Sequence, residues 1–310
     1  VNYTLITKPS YSLSKIVLPF KLSEKYGKYA DNSGSLANLF VEQQLASNKN
    51  VTTQVAQGNV PAQQQSQAPV TAPAYISDVD NIPANAVKNP KRVALIIGNE
   101  NYSQNFDGES DVDYAKNDAA VFRKYATNIL GVEEVNIFML TNATSALMRK
   151  EIDRAAMLVQ KMGSSSELIF YYAGHGFPDD VTHIPYLIPV DVSVTDLTSA
   201  YKLSELYTKL GNSGASKIIV FLDACFSGGG RNQVTYAARG VRMAPNNEDT
   251  SPAGNMIVLS ASKGTQSALA FDKEKHGLFT YYLLKKLKES KANVSYKELA
   301  DYILENVKKE

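Results

Sequence analysis

From Arg92 onwards, apolar residues follow two alternating patterns. Short, nearly unbroken runs start at Arg92, Val135, Glu167, Lys217 and Met256, all rich in β-branched and aromatic residues. Runs that are apolar on both faces suit central strands of a parallel sheet. The spacing predicts strands over Arg92 to Ile97, Val135 to Leu140 and Met256 to Ser260, one strand leading to His175 and one leading to Cys225. Between them, apolar residues recur every three or four positions. In the stretch Asp113 to Leu130 these are Ala115, Ala119, Phe122, Ala126 and Ile129, the spacing of one helix face. Helices are likewise predicted over Thr144 to Met162, Ser204 to Leu210 and Leu278 to Leu287, and Ser295-Tyr296-Lys297-Glu298 is a capping box that opens a last one. Strands alternating with helices predict an α/β domain with a mostly parallel central sheet, right-handed crossovers and helices on both faces.

The first part of the chain reads differently. Val1 to Phe20 alternates weakly around a Lys8-Pro9-Ser10 turn, as a hairpin or a piece of another module would, and Ser35 to Ala46 has the make-up of a short helix. From Asn48 to Ala74 the composition shifts to Gln, Ala, Pro, Val and Thr, too poor in large apolar residues to offset its ordering entropy. The expected division is an N-terminal segment over 1–47, a flexible linker or pro-segment over 48–77, and the α/β domain over 78–310.

Composition narrows the function classes. A net charge of +1 over 310 residues argues against a nucleic-acid partner. No stretch approaches eighteen consecutive apolar residues, so no membrane span is expected in this chain. No Gly-x-x-x-x-Gly-Lys-Ser/Thr loop is present, which disfavours nucleotide-driven chemistry. A single cysteine excludes an internal disulfide framework. The chain starts at Val1, which reads as a mature or cloned fragment, and export is favoured over a cytoplasmic location.

Two predicted strands end in reactive residues. One runs into Tyr172-Ala173-Gly174-His175-Gly176, the other into Asp223-Ala224-Cys225-Phe226-Ser227-Gly228. In open α/β sheets the carboxyl edge of the strands is where ligands bind. A thiol becomes an attacking thiolate when a base stands beside it, and an imidazole can be that base. Their separation leaves room for one crossover helix between neighbouring strands. The alternative for Cys225 is a buried small hydrophobe. The other two histidines, His183 in a polar loop and His276 before a predicted helix, are expected to be solvated or capping residues.

At these residues the chain resembles the caspase-like cysteine peptidases, the superfamily of caspases, metacaspases and bacterial relatives. Val93-Ala94-Leu95-Ile96-Ile97-Gly98-Asn99 matches as well, and the histidine precedes the cysteine. The resemblance covers roughly Asp78 to Lys308. It implies a caspase-like sandwich fold, Cys225 as nucleophile, His175 as proton carrier, and backbone N–H groups of Gly176 and Cys225 as the oxyanion hole. It also bears on specificity. Asp223 stands two residues before the cysteine, and Ala115-Lys116-Asn117-Asp118-Ala119 is similar to the metacaspase Asn-Asp-Ala motif, whose aspartate lines the specificity (S1) pocket. The caspase Ser-Trp-Arg strand is replaced by Ser267-Ala268-Leu269, without the arginine. An acidic pocket pairs with a basic P1 side chain. Peptide or protein substrates with Arg or Lys at P1 are therefore expected, with Ser260 as a further cleft residue. The alternatives are a first-turn helix carboxylate for Asp118 and a turn former for Asp223.

Many metacaspases bind calcium after the histidine strand. Here Asp179, Asp180 and Asp191 supply only part of the oxygen shell that calcium needs, so no obligatory metal or other cofactor is expected. The long polar stretch from Gly228 to Ala253 contains Arg231, Arg239 and Arg242, and in the family the corresponding position is often cut during maturation. Self-cleavage there is one expectation, and ordinary solvated charge is the other. Within the class a gingipain-like or clostripain-like peptidase is a rival. Outside it the rival is a catalytically silent caspase-like scaffold.

Overall fold

The computed structural model describes residues 76–84, 86–105, 110–179, 181–226, 255–261 and 269–310, and the backbone of two short strands further upstream. The chain forms two units, Val1–Thr71 and Ala72–Glu310. In the first, β1 (Lys21–Ser23) pairs antiparallel with β2 (Tyr29–Asp31). The hairpin, helix and linker expected at Val1 to Phe20, Ser35 to Ala46 and Asn48 to Ala74 lie outside the described residues.

The second unit is built on five parallel strands: β3 (Arg92–Gly98), β4 (Ile137–Thr141), β5 (Glu167–Ala173), β9 (Lys217–Asp223) and β10 (Met256–Ser260). Their order across the sheet is β10-β9-β5-β3-β4, and every neighbouring pair is parallel. The chain steps from β3 outwards to β4, then returns past β3 to β5. That reversal opens a crevice at the carboxyl ends of β3 and β5, the place where such sheets bind ligands.

Side-chain alternation divides the core into two. Ala94, Ile96, Ile169, Tyr171, Ala173, Ile219 and Phe221 face one side, where α1 (Ala115–Asn128), α4 (Leu278–Ser290) and α5 (Tyr296–Val307) pack. Val93, Leu95, Ile97, Leu168, Phe170, Tyr172, Ile218, Val220 and Leu222 face the other, covered by α2 (Ser145–Met162) and α3 (Leu203–Gly211). Strands buried on both faces read as continuous apolar runs for this reason. The expected α/β architecture, with a parallel sheet and helices on both faces, is present. Ala115, Ala119, Phe122, Ala126 and Ile129 are all buried on one core, as their helical spacing requires. Thr144 caps α2, and Ser295 with Glu298 forms the capping box of α5.

Smaller elements decorate the sheet. A three-stranded antiparallel sheet, β6 (Gly176–Pro178), β7 (Pro185–Leu187) and β8 (Tyr201–Lys202), follows the histidine strand. A two-residue hairpin, β11 (Ala270–Phe271) with β12 (His276–Gly277), leads into α4. The second predicted strand starts later than expected. Glu134–Asn136 instead makes a 3-10 turn, held by the Asn136 side chain donating to the Pro90 carbonyl, and leaves Val135 82% exposed.

Candidate active site

Register decides which loops meet. Ala173 of β5 pairs with Asp223 of β9, so His175 and Cys225, each two residues further on, leave adjacent strands at the same level. The Gly174 N–H donates to the Asp223 carbonyl at 3.3 Å, carrying the contact past the strand ends. A Cβ on Gly176 would stand 2.6 Å from the Phe226 ring and 3.0 Å from the Cys225 carbonyl, so only glycine lets the two loops approach this closely. His175 and Cys225 are both almost fully buried.

His175 is held on every side. Its backbone N–H donates to the Tyr102 hydroxyl at 3.0 Å, and its carbonyl accepts from the Tyr172 hydroxyl at 2.8 Å and the Ile188 N–H at 3.0 Å. The Tyr102 hydroxyl donates in turn to the Ile188 carbonyl at 2.9 Å. A Cβ on Gly174 would meet these hydroxyls, at 2.7 Å from that of Tyr172 and 3.0 Å from that of Tyr102. The imidazole lies against the Tyr102 ring, with centroids 4.4 Å apart and planes at 51°. Its Nε2 is 2.7 Å from the Ser110 carbonyl oxygen. A carbonyl only accepts, so Nε2 carries the proton and, in the neutral ring, the basic lone pair sits on Nδ1.

The two acidic candidates share a destination. Asp223 Oδ2 accepts from the Thr280 hydroxyl at 2.6 Å and its backbone N–H at 3.2 Å, in the first turn of α4. Asp118 Oδ2 accepts from the Gly277 N–H at 2.9 Å, at the N-cap of the same helix, while its Oδ1 is 2.7 Å from His276 Nδ1. Carboxylates at a helix N-terminus satisfy orphan N–H groups and complement its partial positive charge. Both side chains are buried, so Asp118 is not the exposed first-turn residue that its position in α1 allowed. The Asn-Asp-Ala segment receives the β11–β12 hairpin: Asn117 donates to the Lys275 carbonyl at 2.9 Å, and the hydroxyl of the preceding Tyr114 donates to Asp272. Ser260 ends β10 beside Leu222, and its hydroxyl is buried without a hydrogen-bond partner among the described residues.

The expectation for His276 is overturned. Its ring is fully buried between Asp118 and Asp80, with Nε2 3.2 Å from Asp80 Oδ1. Burial alone lowers an imidazole pKa, but hydrogen bonds and charge from Asp118 and Asp80 outweigh it, and the net shift is upward from 6.5. His276 thereby ties Ser77–Asp80 to α1. In that short segment Ser77 donates to Glu274, Val79 is fully buried, and Lys285 pairs with Asp78. His183 is half-buried, in a turn with its N–H on the Asp179 carbonyl.

The acidic residues after the histidine strand are committed elsewhere. The Asp179 carboxylate accepts from the Val181 and Thr182 N–H groups and the Thr182 hydroxyl, bonds that lower its pKa. Asp191 accepts from the Ser145 N–H at the start of α2. Among the described residues no group of three His, Cys, Asp or Glu side chains is placed to hold a metal ion. Asp180, Arg231, Arg239 and Arg242 lie outside the described residues. Sequence reasoning missed Ser110 and Tyr102. Ser110 acts through a backbone carbonyl, which every residue has, and Tyr102 lies four residues beyond the end of β3 with no periodicity to mark it.

The α/β sheet carries His175 and Cys225 just past the carboxyl ends of two neighbouring central strands, the edge at which such sheets place ligands. Residues 91–310 match the caspase domain, and the chain belongs to that family, whose members are cysteine-type peptidases. A comparison with curated proteins gave no match.

Proposed function

We propose that the protein is a cysteine endopeptidase in which Cys225 attacks the scissile carbonyl, His175 carries the protons, and Arg or Lys is preferred at P1. The observation that carries this is the in-register pairing of the His175 and Cys225 loops, with Gly176 packed on the Cys225 carbonyl. With Nε2–H donating to the Ser110 carbonyl, Nδ1 carries the basic lone pair of the neutral ring and takes the thiol proton. The thiolate adds to the peptide carbonyl, and the oxyanion is received by the backbone N–H groups of Gly176 and Cys225. Donors fixed in advance for such an oxyanion lower a barrier by about 3 kcal/mol. The imidazolium returns its proton to the leaving amine, and water, activated by the same imidazole, then hydrolyses the thioester.

The basic P1 preference rests on two carboxylates, Asp223 and Asp118, on one side of the sheet and at one helix terminus. Asp223 stands two residues before Cys225 in the chain, and Asp118 reaches the N-cap of the same helix from α1. Ser260, at the end of the next strand, extends the same edge. A peptidase with this preference accepts its own 228–253 stretch as substrate at Arg231, Arg239 or Arg242.

Trapping tests the nucleophile directly. Incubation with an Arg-P1 peptide chloromethyl ketone is expected to add the inhibitor mass less HCl to Cys225 in the wild type, as the thiolate displaces chloride, and to add nothing in His175→Ala. Equal labelling of both proteins, or labelling elsewhere, contradicts the reading. For self-processing, new N-termini are expected after Arg231, Arg239 or Arg242 in the wild type and none in Cys225→Ala.

A further inference from the structure

We propose that Asp111, acting through Tyr102, is a positioning residue for His175, and that Glu100–Asn105 together with Ser110–Val112 set the tautomer and direction of the imidazole. This inference rests on the reading of His175 as the proton carrier for Cys225.

The two stretches meet at Glu100 and Val112. The Val112 N–H donates to the Glu100 carbonyl at 2.9 Å. Beside that contact, a single Asp111 carboxylate oxygen accepts from the Tyr102 N–H at 2.8 Å and the Ser103 N–H at 2.9 Å. An ionised carboxylate bridging two backbone donors is a stronger tie than a neutral contact. Burial opposes ionisation of Asp111, but these backbone bonds, with the side chains of Ser103 and Asn101, hold its pKa below the usual value.

The tie fixes both groups that touch the imidazole. Tyr102 supplies the ring against which the imidazole lies and the hydroxyl that accepts the His175 N–H. Ser110, the residue before Asp111, supplies the carbonyl that takes Nε2–H. The Tyr102 hydroxyl accepts from the His175 N–H and donates to the Ile188 carbonyl, while the Tyr172 hydroxyl has the His175 carbonyl at 2.8 Å and the Ile188 carbonyl at 3.0 Å as acceptors. Removing the Tyr102 hydroxyl leaves the buried His175 N–H without its acceptor. Loosening Asp111 frees Ser110, and the ring is then able to turn or to carry its proton on Nδ1, where it cannot act as a base toward the thiol.

The test compares Tyr102→Phe, Asp111→Ala and Asp111→Asn with the wild type, using an Arg-P1 peptide and the pH profile of iodoacetamide alkylation. The lone cysteine makes alkylation a single-site readout. Tyr102→Phe and Asp111→Ala are expected to lower kcat about 10-fold to 100-fold with KM within about twofold, since general-base geometry is lost while substrate contacts remain. Their alkylation at a fixed pH is expected to slow in step with kcat, since the same base generates the thiolate. Asp111→Asn keeps a carbonyl acceptor and is expected to recover most of the rate. If Asp111→Ala does not fold, Tyr102→Phe alone decides. An unchanged kcat and alkylation profile in Tyr102→Phe overturns the inference, whereas full turnover by Cys225→Ala overturns the dyad reading instead.

Discussion

Asp223 and Asp118 approach the first turn of α4 from two elements, and their roles separate by substitution. Asp223→Asn keeps an acceptor for Thr280 but removes the charge. It is expected to lower kcat/KM for Arg-P1 and Lys-P1 peptides by about 100-fold, near the worth of one charge-assisted pair, with little change for a neutral P1. An equal loss for all P1 residues in a steady-state P1 series would assign Asp223 to helix capping alone. His276 gives a stability prediction with a definite sign. Its folded pKa is raised, so the bridge to Asp118 and Asp80 is fully stabilising below the ordinary imidazole pKa of about 6.5 and is lost as pH rises through the raised value. The thermal midpoint of wild type relative to His276→Gln is therefore expected to be largest near pH 6 and to shrink by about pH 9. A gap that widens with pH would mean that His276 is buried neutral. His175, Cys225 and Asp223 were legible because they end apolar runs that announce buried strands. His276 was not, because a histidine's burial depends on carboxylates from Asp80 and Asp118, which are remote in sequence.

At the scale of elements, the parallel sheet and its covering helices follow directly from pattern. Runs of β-branched and aromatic residues fixed β3, β5, β9 and β10, and the i, i+4, i+7 positions of α1 fell on one core. Phe122 shows what that face contributes. It stacks on Tyr171 at 4.2 Å and meets the edge of Phe221 at 5.7 Å. Phe122→Ala is expected to cost about 3–5 kcal/mol in denaturant unfolding, the range for a deleted buried aromatic. A loss below about 1 kcal/mol would place this face outside the cooperative core. Elements of two or three residues, such as β8, β11 and β12, were not legible, since so short a strand shows no period. Their positions are set by tertiary bonds, among them Asn117 to the Lys275 carbonyl and Asp118 to the Gly277 N–H.

For the whole molecule, the family match begins at residue 91, whereas the compact unit begins at Ala72. The difference includes Ser77–Asp80, with a fully buried Val79 and the Asp80 carboxylate on His276. A chain starting at Ala72 is expected to melt like the full protein's second unit. One starting at Asn81 loses about 3 kcal/mol of burial and pairing, and its midpoint is expected to fall by about 6–12 °C in calorimetry. Equal midpoints would show that the segment is dispensable. The proposed activity, cleavage after basic residues by Cys225 with His175, is checked by turnover of a P1-randomised peptide library by wild type and Cys225→Ala, with and without a calcium chelator. Cleavage after Arg and Lys by wild type only, unchanged by the chelator, is expected. Cleavage after Asp, or equal cleavage by Cys225→Ala, would contradict it.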